Sequence, residues 1–421
     1  MTLLDGIYAQ TPIDTRDVPP DVLNLPVRQR TNPLAWNGQF SPQLVEILLH
    51  HYARESQHIL DPFVGSGTVL LEAGLLGKQA TGVEINPAAV ALSRVYEFIN
   101  VPIPDRRIAL SAVENTLRSS LGHSGPLFGE AASPGERVVS AALLAAWRET
   151  TDWRESVVLR ALVLLSQVSR EGGSQDRAWR TWHRLAKLVL KLPHSNLPIR
   201  VVHADARAIG LPSEGIDLVL TSPPYINVFN YHQQYRPSEE LLRSWSLLEV
   251  ARSEIGSNRK HRGNRYLTVI QYCLDMAQVL EELSRVMRPT ARMILIVGRE
   301  SSVRGTRFFN GELVAELAHR ALSYRLLLRQ ERVYTNRFGQ IIYEDILHFD
   351  GGKTLHKGDD VQSIARGVAV QALSASRVYA PVRERMGLDE AVAWADDVRP
   401  SPIFDTSRAA QQEPELHQGS R

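Results

Sequence analysis

The chain has 421 residues, 43% apolar and 22% charged, a balance that excludes a disordered polyelectrolyte and leaves material for two or three domains at roughly 150 residues each. Lysine and arginine total 48 against 46 acidic residues, so the formal charge is only +2 and any surface for a polyanion must be local. The single cysteine, Cys273, excludes a disulfide framework and a multi-cysteine zinc cluster, and no metal site is expected. The region after Met1 lacks a signal-peptide pattern, and the longest apolar stretch, Val138 to Trp147, is broken by Ser140 and falls short of the ~20 residues of a membrane helix. A cytoplasmic protein with no membrane partner is expected.

Residues 1–31 carry four prolines and no sustained periodicity, which predicts an irregular surface arm. A helix is expected from Pro42, with Ser41 as its cap and Leu44, Val45, Leu48 and Leu49 on one face. The segment HILDPF then reads as a strand, followed by a glycine turn, a helix over Thr68 to Leu76, a strand QATGVEI and a helix opened by Asn86-Pro87. The alternation resumes with strands IRVVHAD and IDLVLTS, a long helix over Leu267 to Met287, strand ARMILIVG, and two strands, YRLLLRQERV and QIIYEDILHF, separated by a turn. Strand–helix alternation means parallel pairing with crossovers. The expected fold is therefore α/β: a Rossmann-like, doubly wound, mostly parallel sheet with an antiparallel edge hairpin, built from residues 32–99 and 198–350. Residues 100–197 read as a helical insertion, 226–265 as a basic loop insertion, and 351–421 as a C-terminal extension with a disordered end.

DPFVGSGT, Asp61 to Thr68, lies at a strand's carboxyl end and opens a helix, where backbone N–H groups face a ligand. A dinucleotide loop would need glycine where Leu70 stands, Asp61 would repel a pyrophosphate, and no Gly-Lys-Ser/Thr follows, so a cofactor without phosphates fits better. Glu84, ending the next strand, can accept from both hydroxyls of a ribose. TSPPY, Thr221 to Tyr225, ends another central strand. Its two prolines donate nothing, so the segment is rich in acceptors, and Tyr225 offers a ring face for a planar base. Acceptors around an exocyclic amino group favour a pyramidal nitrogen whose lone pair can attack an electrophilic methyl.

DPFVGSGT together with TSPPY resembles the amino-group DNA methyltransferases, enzymes that use S-adenosylmethionine to modify cytosine N4 or adenine N6. The resemblance runs from Asn32 to Arg299, with Val69 standing where the family usually has a second threonine. It implies that Asp61, Pro62, Phe63, Gly65, Ser66, Gly67 and Thr68 bind the cofactor, that Glu84 holds its ribose, and that Ser222, Pro223, Pro224 and Tyr225 hold a flipped base. GQFSPQLVEIL is similar to the family's additional cofactor motif, which would bring Phe40, Ser41 and Pro42 to the methionine end; a helix staple and cap is the alternative reading. Asp205 in HADAR stands at the position that meets the cofactor's adenine edge, or simply forms a turn. Serine before Pro-Pro-Tyr favours cytosine N4, with adenine N6, RNA N2-guanosine methylation and an inactive DNA-binding subunit as alternatives. Methylation at cytosine carbon 5 needs a cysteine nucleophile, and Cys273 lies instead in the helical pattern YCLDMAQVL.

For duplex DNA, the expected partner, two basic surfaces offer themselves. Arg177, Arg180, Arg184, Lys187 and Lys191 recur at helical spacing, interleaved with Trp179, Trp182 and His183 for stacking or wedging. Arg252, Arg259, Lys260, Arg262 and Arg265 follow the TSPPY strand and can grip phosphates, while Phe229, Tyr231 and Tyr235 either flank an extruded base or pack. A cognate restriction or other defence protein is the further partner the resemblance implies.

Overall fold

The computed structural model describes residues 4–25, 30–39, 41–53, 58–121, 136–169, 172–226, 231–242, 247–257, 261–336, 339–351 and 358–405. Nine strands form among the described residues. They are β1 (His58–Asp61), β2 (Gln79–Glu84), β3 (Ile199–His203), β4 (Ile216–Thr221), β5 (Met287–Gly298), β6 (Glu300–Val303), β7 (Thr306–Phe309), β8 (Leu326–Thr335) and β9 (Ile341–Asp350). Seven of them form one sheet in the order β3-β2-β1-β4-β5-β9-β8. The first five are parallel, and β9 runs antiparallel to both β5 and β8. The fold is the Rossmann-like, doubly wound sheet with an antiparallel edge hairpin that the alternation of patterns implied. The small β6–β7 ribbon and the helix Asn310–Leu322 after it were not anticipated.

Strand order reverses at β1, which has β2 on one side and β4 on the other, so the carboxyl ends of β1 and β4 flank the crevice where such sheets bind ligands. Side-chain alternation sends Leu218 and Leu220 of β4 to one core and Val219 to the other. The second core holds the long helix Leu267–Val286, the helix Asn310–Leu322 and the helix Asp359–Ser376.

The helices of residues 103–191 pack into the first of these cores. Leu110, Val158, Trp179 and Trp182 share one cluster with Val69 and Leu70 of the helix Thr68–Leu75. Arg106, fully buried, binds the insertion to its own ends: its guanidinium donates to the carbonyls of Val101 (2.8 Å), Leu192 (2.6 Å), Pro193 (2.7 Å) and Val189 (3.1 Å).

Two expectations need correction. The N-terminal arm is not irregular: Ile7–Gln10 and Pro20–Asn24 are short helices, and Tyr8, Val18 and Leu23 are buried. The Tyr8 hydroxyl donates to Asp345 at 2.8 Å and Arg329 lies over its ring, so side chains too few for periodicity still anchor the arm to the β8–β9 hairpin. The insertion after β4 is not a plain loop, because Tyr231–Gln233, Arg236–Leu242 and Leu247–Ser253 are helical. In the C-terminal extension, Asp359–Ser376 and Arg385–Ala393 are helices; of the end expected to be disordered, the last twenty or so residues, all beyond 405 lies outside the described residues. Among the described residues no helix is long and apolar enough to cross a membrane.

Arg106→Ala strands several buried carbonyls without a donor. At about 1–3 kcal/mol for each unsatisfied buried group, the variant should lose at least about 3 kcal/mol of stability, read as a lower urea midpoint, and Arg106→Lys should recover only part of it.

Candidate active site

The site grows from the tip of β1. After Asp61 the chain turns back sharply, the Val64 N–H donating to Val83 of β2 at 3.1 Å and the Gly67 N–H to Val64 at 2.8 Å. Gly65 and Gly67 both take positive φ, +51° and +94°. A Cβ at 67 would sit 2.6 Å from the Tyr96 ring, and one at 65 would sit 3.1 Å from the Trp36 indole, so conformation and space both demand glycine. The helix Thr68–Leu75 then starts with no side-chain cap, which leaves its first-turn N–H groups for a ligand.

β1 pairs with β2 on one side and β4 on the other, which sets three acidic or polar strand ends in a row. Glu84 accepts from the N–H groups of Gly65 (3.1 Å), Ile85 (3.0 Å) and Asn86 (2.9 Å). Asp61 accepts from the Thr221 hydroxyl at 2.6 Å and from the Phe63 N–H at 3.1 Å. Burial pushes both carboxyls up to about 7; the hydrogen bonds oppose the shift, and neighbouring negative charge, Glu84 on Asp61 and Glu254 on Glu84, adds to it. Ser222 Oγ lies 3.1 Å from the Tyr225 hydroxyl, and the Tyr225 ring packs on Gly298, where a Cβ would stand 3.1 Å from it. Burial raises the Tyr225 phenol well above its ordinary value, so it stays protonated.

These ends open on a pocket of about 900 Å³, open solvent at its mouth included. Of the residues singled out from the sequence, Pro62, Phe63, Gly65, Ser66, Thr68, Glu84, Asp205, Ser222 and Pro224 line it. Asp61, Gly67 and Tyr225 shape it from behind, through the Thr221 bond, the turn and the Ser222 contact, and Pro223 is buried between Ser222 and Pro224.

Ser41 and Pro42 do not line this pocket. Pro42 takes the first turn of the helix Pro42–Tyr52 with Ser41 as its N-cap residue, and both border an adjoining depression with Arg30 and Trp36 instead. Ser41 makes no side-chain cap bond there, and Phe40 lies outside the described residues. Asp205 lines the pocket with its carboxylate already engaged: Arg207 reaches it at 2.9 and 2.6 Å, and the Phe404 N–H donates to it at 2.9 Å. Those bonds hold the carboxylate within the chain while the residue keeps its place on the pocket wall.

Sequence reasoning missed Trp36, Asn37, Gly38 and Gln39, which form the wall opposite the glycine turn. The Gln39 amide donates to Leu34 at 2.7 Å and to the Ser66 hydroxyl, and Thr68 donates to Asn32 at 2.9 Å. The lone tryptophan of LAWNGQF was the available signal. Tyr231 and Glu254 also line the pocket. Burial, with the charges of Glu84 and Glu254, pushes the Tyr231 hydroxyl up to about 12, and His232 Nδ1 lies 2.7 Å from Glu254. Tyr235 stacks on Trp36 at 6.3 Å and donates to Ala35 at 2.8 Å, a packing role; Phe229 lies outside the described residues.

On the helix Gln175–Lys191, Arg177, Arg180, Arg184, Lys187 and Lys191 are all exposed. Trp179 and Trp182 are not available for stacking or wedging, because they are buried in the core of the helical insertion. Arg262 is exposed and lines a second depression with Arg236, Arg252 and His261; His232 belongs to it too and joins it to the pocket wall through Glu254. Arg265 is half-buried, its guanidinium held below the usual value by burial and Arg304, and Arg259 and Lys260 lie outside the described residues. Cys273 is buried in the helix Leu267–Val286 with its thiol pushed up by burial, which rules it out as a nucleophile.

A doubly wound sheet with a phosphate-free glycine turn and an acidic residue at the next strand end defines a nucleoside-cofactor protein of the Rossmann-like class. Residues 16–94 match the family model described as DNA methylase. Over 60 residues the chain is 37% identical to the type II methyltransferase M.MjaII of Methanocaldococcus jannaschii, covering 14% of this chain and 11% of that protein. Over another 60-residue match it is 35% identical to a tRNA (guanine(10)-N2)-dimethyltransferase of Methanothermobacter thermautotrophicus, covering 14% of this chain and 18% of that one. The chain thus spans less than a fifth of the curated relatives it matches. A solved S-adenosylmethionine-dependent methyltransferase of Methanosarcina mazei aligns over 73% of this chain and 98% of that one, at 13% identity and a TM-score of 0.31.

The pocket fits S-adenosylmethionine. A cradle that a Cβ at Gly65 would fill takes the close approach of the cofactor, Glu84 can accept from a ribose diol, and the carboxyls of Glu84 and Glu254 on the wall suit a sulfonium cation. Because Glu84 sits near 7 in the free protein, binding that needs its ionised form should be about tenfold weaker at pH 6 than at pH 8. The sign for stability is opposite: carboxyls raised on folding favour the folded state below the unfolded value near 4, an advantage lost as pH rises through 7. Titration of Trp36 fluorescence with S-adenosylmethionine at pH 6, 7 and 8 tests the first statement, and Glu84→Gln should bind weakly with a flat profile.

Proposed function

We propose that the protein moves a methyl group from S-adenosylmethionine to the exocyclic amino group of a base in duplex DNA, cytosine N4 in first place. The observation that carries the proposal is that Ser222 and Pro224, after β4, line the same pocket as Gly65, after β1, and Glu84, at the end of β2, three strands that are neighbours in the sheet. Bound S-adenosylmethionine supplies an electrophilic methyl. The chain's own part is to hold the amino nitrogen in front of it.

Ser222 Oγ accepts a hydrogen bond from the amino group while remaining tied to the Tyr225 hydroxyl, and acceptors in the proline-fixed segment take the second hydrogen. Both bonds strengthen as the nitrogen becomes positive, so they act more on the transition state than on the ground state. Serine before Pro-Pro-Tyr resembles the cytosine-N4 members of the amino-group methyltransferases, which puts that base first. Tyr225 acts from behind the wall, its hydroxyl tied to Ser222 and its ring backing the segment that receives the base. The base must leave the helix to reach this depth.

Two features support a duplex substrate: the depression with Arg236, Arg252, His261 and Arg262 beside the pocket, and the exposed cations of the helix Gln175–Lys191. Both suit phosphate contacts that position the duplex without reading its sequence. A cognate restriction or defence protein accords with the type II methyltransferase among the relatives.

Tyr225→Ala and Ser222→Ala should each lower methyl transfer at least a hundredfold while S-adenosylmethionine affinity stays within about threefold. Modification-sensitive sequencing of DNA from cells expressing the wild-type chain should show cytosine-N4 marks that vanish with Tyr225→Ala. Adenine-N6 marks would reassign the base, and transfer to tRNA but not to duplex DNA would reject the substrate.

A further inference from the structure

We infer that the C-terminal segment 398–405 is a built part of the cofactor site, with Phe404 as a positioning residue for the wall that takes the adenine end. The inference rests on the cofactor and is independent of which base is methylated.

Glu84 marks the place of the ribose, and Ser222 marks the side toward which the methyl must point. The base of the cofactor must therefore extend the other way, past β2 toward β3. The residues lining the pocket on that side are Ile85, Asn86, Asp205 and Ala206. Ile85 is only half-buried, so its position depends on what stands behind it.

What stands behind it is Phe404, more than three hundred residues away in sequence. Phe404 is buried and packs with Val250 against Ile85. Its ring stacks on His203 at 5.5 Å with an interplanar angle of 27°, and a ring nitrogen of His203 lies 3.0 Å from the Ile85 carbonyl. The segment thus holds Ile85 through both its side chain and its backbone.

The attachment is a buried ionic clasp. Arg207, whose side chain is fully buried, pairs with Asp205 at 2.6 Å and with Asp275 at 3.1 Å. The same guanidinium donates to the carbonyls of Ser401 (2.8 Å), Pro402 (2.9 Å) and Ser253 (3.1 Å), and Ser253 itself lines the pocket. Asp275 accepts from the Ser401 N–H at 2.6 Å and from its hydroxyl at 2.5 Å, and Asp205 accepts from the Phe404 N–H at 2.9 Å. Two carboxylates around one guanidinium are costly to bury unless every lone pair is used, and here the backbone of the segment uses those left over. Asp205 is therefore a hinge pin: one face of the residue borders the cofactor pocket and its carboxylate grips the segment.

The experiment measures binding of S-adenosylmethionine and of 5′-methylthioadenosine, which keeps the adenosine and lacks the amino acid, to the full-length wild type and to Phe404→Ala. Both ligands should lose affinity by the same factor, tenfold or more, because the loss lies at the adenine end, and Phe404→Leu should recover most of it. In the wild type, saturating S-adenosylmethionine should slow amide hydrogen exchange over residues 401–405. A folded Phe404→Ala that binds both ligands within twofold of wild type would overturn the inference, as would exchange at 401–405 that ignores the cofactor. The exchange measurement needs no variant, so it decides the matter if Phe404→Ala does not fold. A wild-type chain that binds neither ligand overturns the cofactor assignment and this inference with it.

Discussion

A hydroxyl on Thr221 and a carboxyl on Asp61, 160 residues apart in sequence, meet at 2.6 Å at the point where the sheet changes direction. Everything in the pocket follows from that meeting. It joins the tip of the strand that carries the glycine turn to the tip of the strand that carries Ser222, Pro223, Pro224 and Tyr225. Parallel pairing of β1 with β4 puts the two tips level, and the absence of a third neighbour between them leaves a crevice rather than a packed surface. A register slip of one residue would turn both sets of side chains to the wrong faces of the sheet.

The electrostatics follow from the same geometry. Setting Glu84 and Glu254 on one pocket wall, with Asp61 buried behind it, removes water from carboxyls whose charges also oppose one another, and Asp61 and Glu84 answer by moving up toward 7. The backbone N–H groups of Gly65, Ile85 and Asn86 oppose that shift without cancelling it. A free pocket that is acidic, enclosed and only partly ionised is poised for a ligand that brings positive charge and hydroxyl donors. The neighbouring depression has the opposite character, with Arg236, Arg252, His261 and Arg262 at its rim. The His232–Glu254 pair stands between the two and belongs to both walls.

Segments outside the sheet are integrated with it more closely than their composition suggests. The helical insertion shares its core with the helix that follows the glycine turn, held by the Arg106 clasp. The N-terminal residues cover the edge hairpin, and the C-terminal residues return to the strand ends through Arg207. Buried arginines recur as the device: each guanidinium offers five donors in a fixed plane and can tie several backbone carbonyls at once, which a lysine cannot.

The sequence by itself determined the strands, their parallel order of use, the glycine turn, Glu84 and the proline-fixed tip, because each is a local matter of periodicity, φ restriction or donor count. The two glycines of GSGT could be read without coordinates, since a positive φ and a close neighbour leave no other residue. Tertiary structure alone decided that Trp36 faces the turn, that Ser41 and Pro42 serve their helix, and that Trp179 and Trp182 belong to the core. It also decided that Asp205 is engaged by Arg207 and Phe404. In each case the outcome depends on what arrives from a distant part of the chain, and spacing along a sequence carries no record of that.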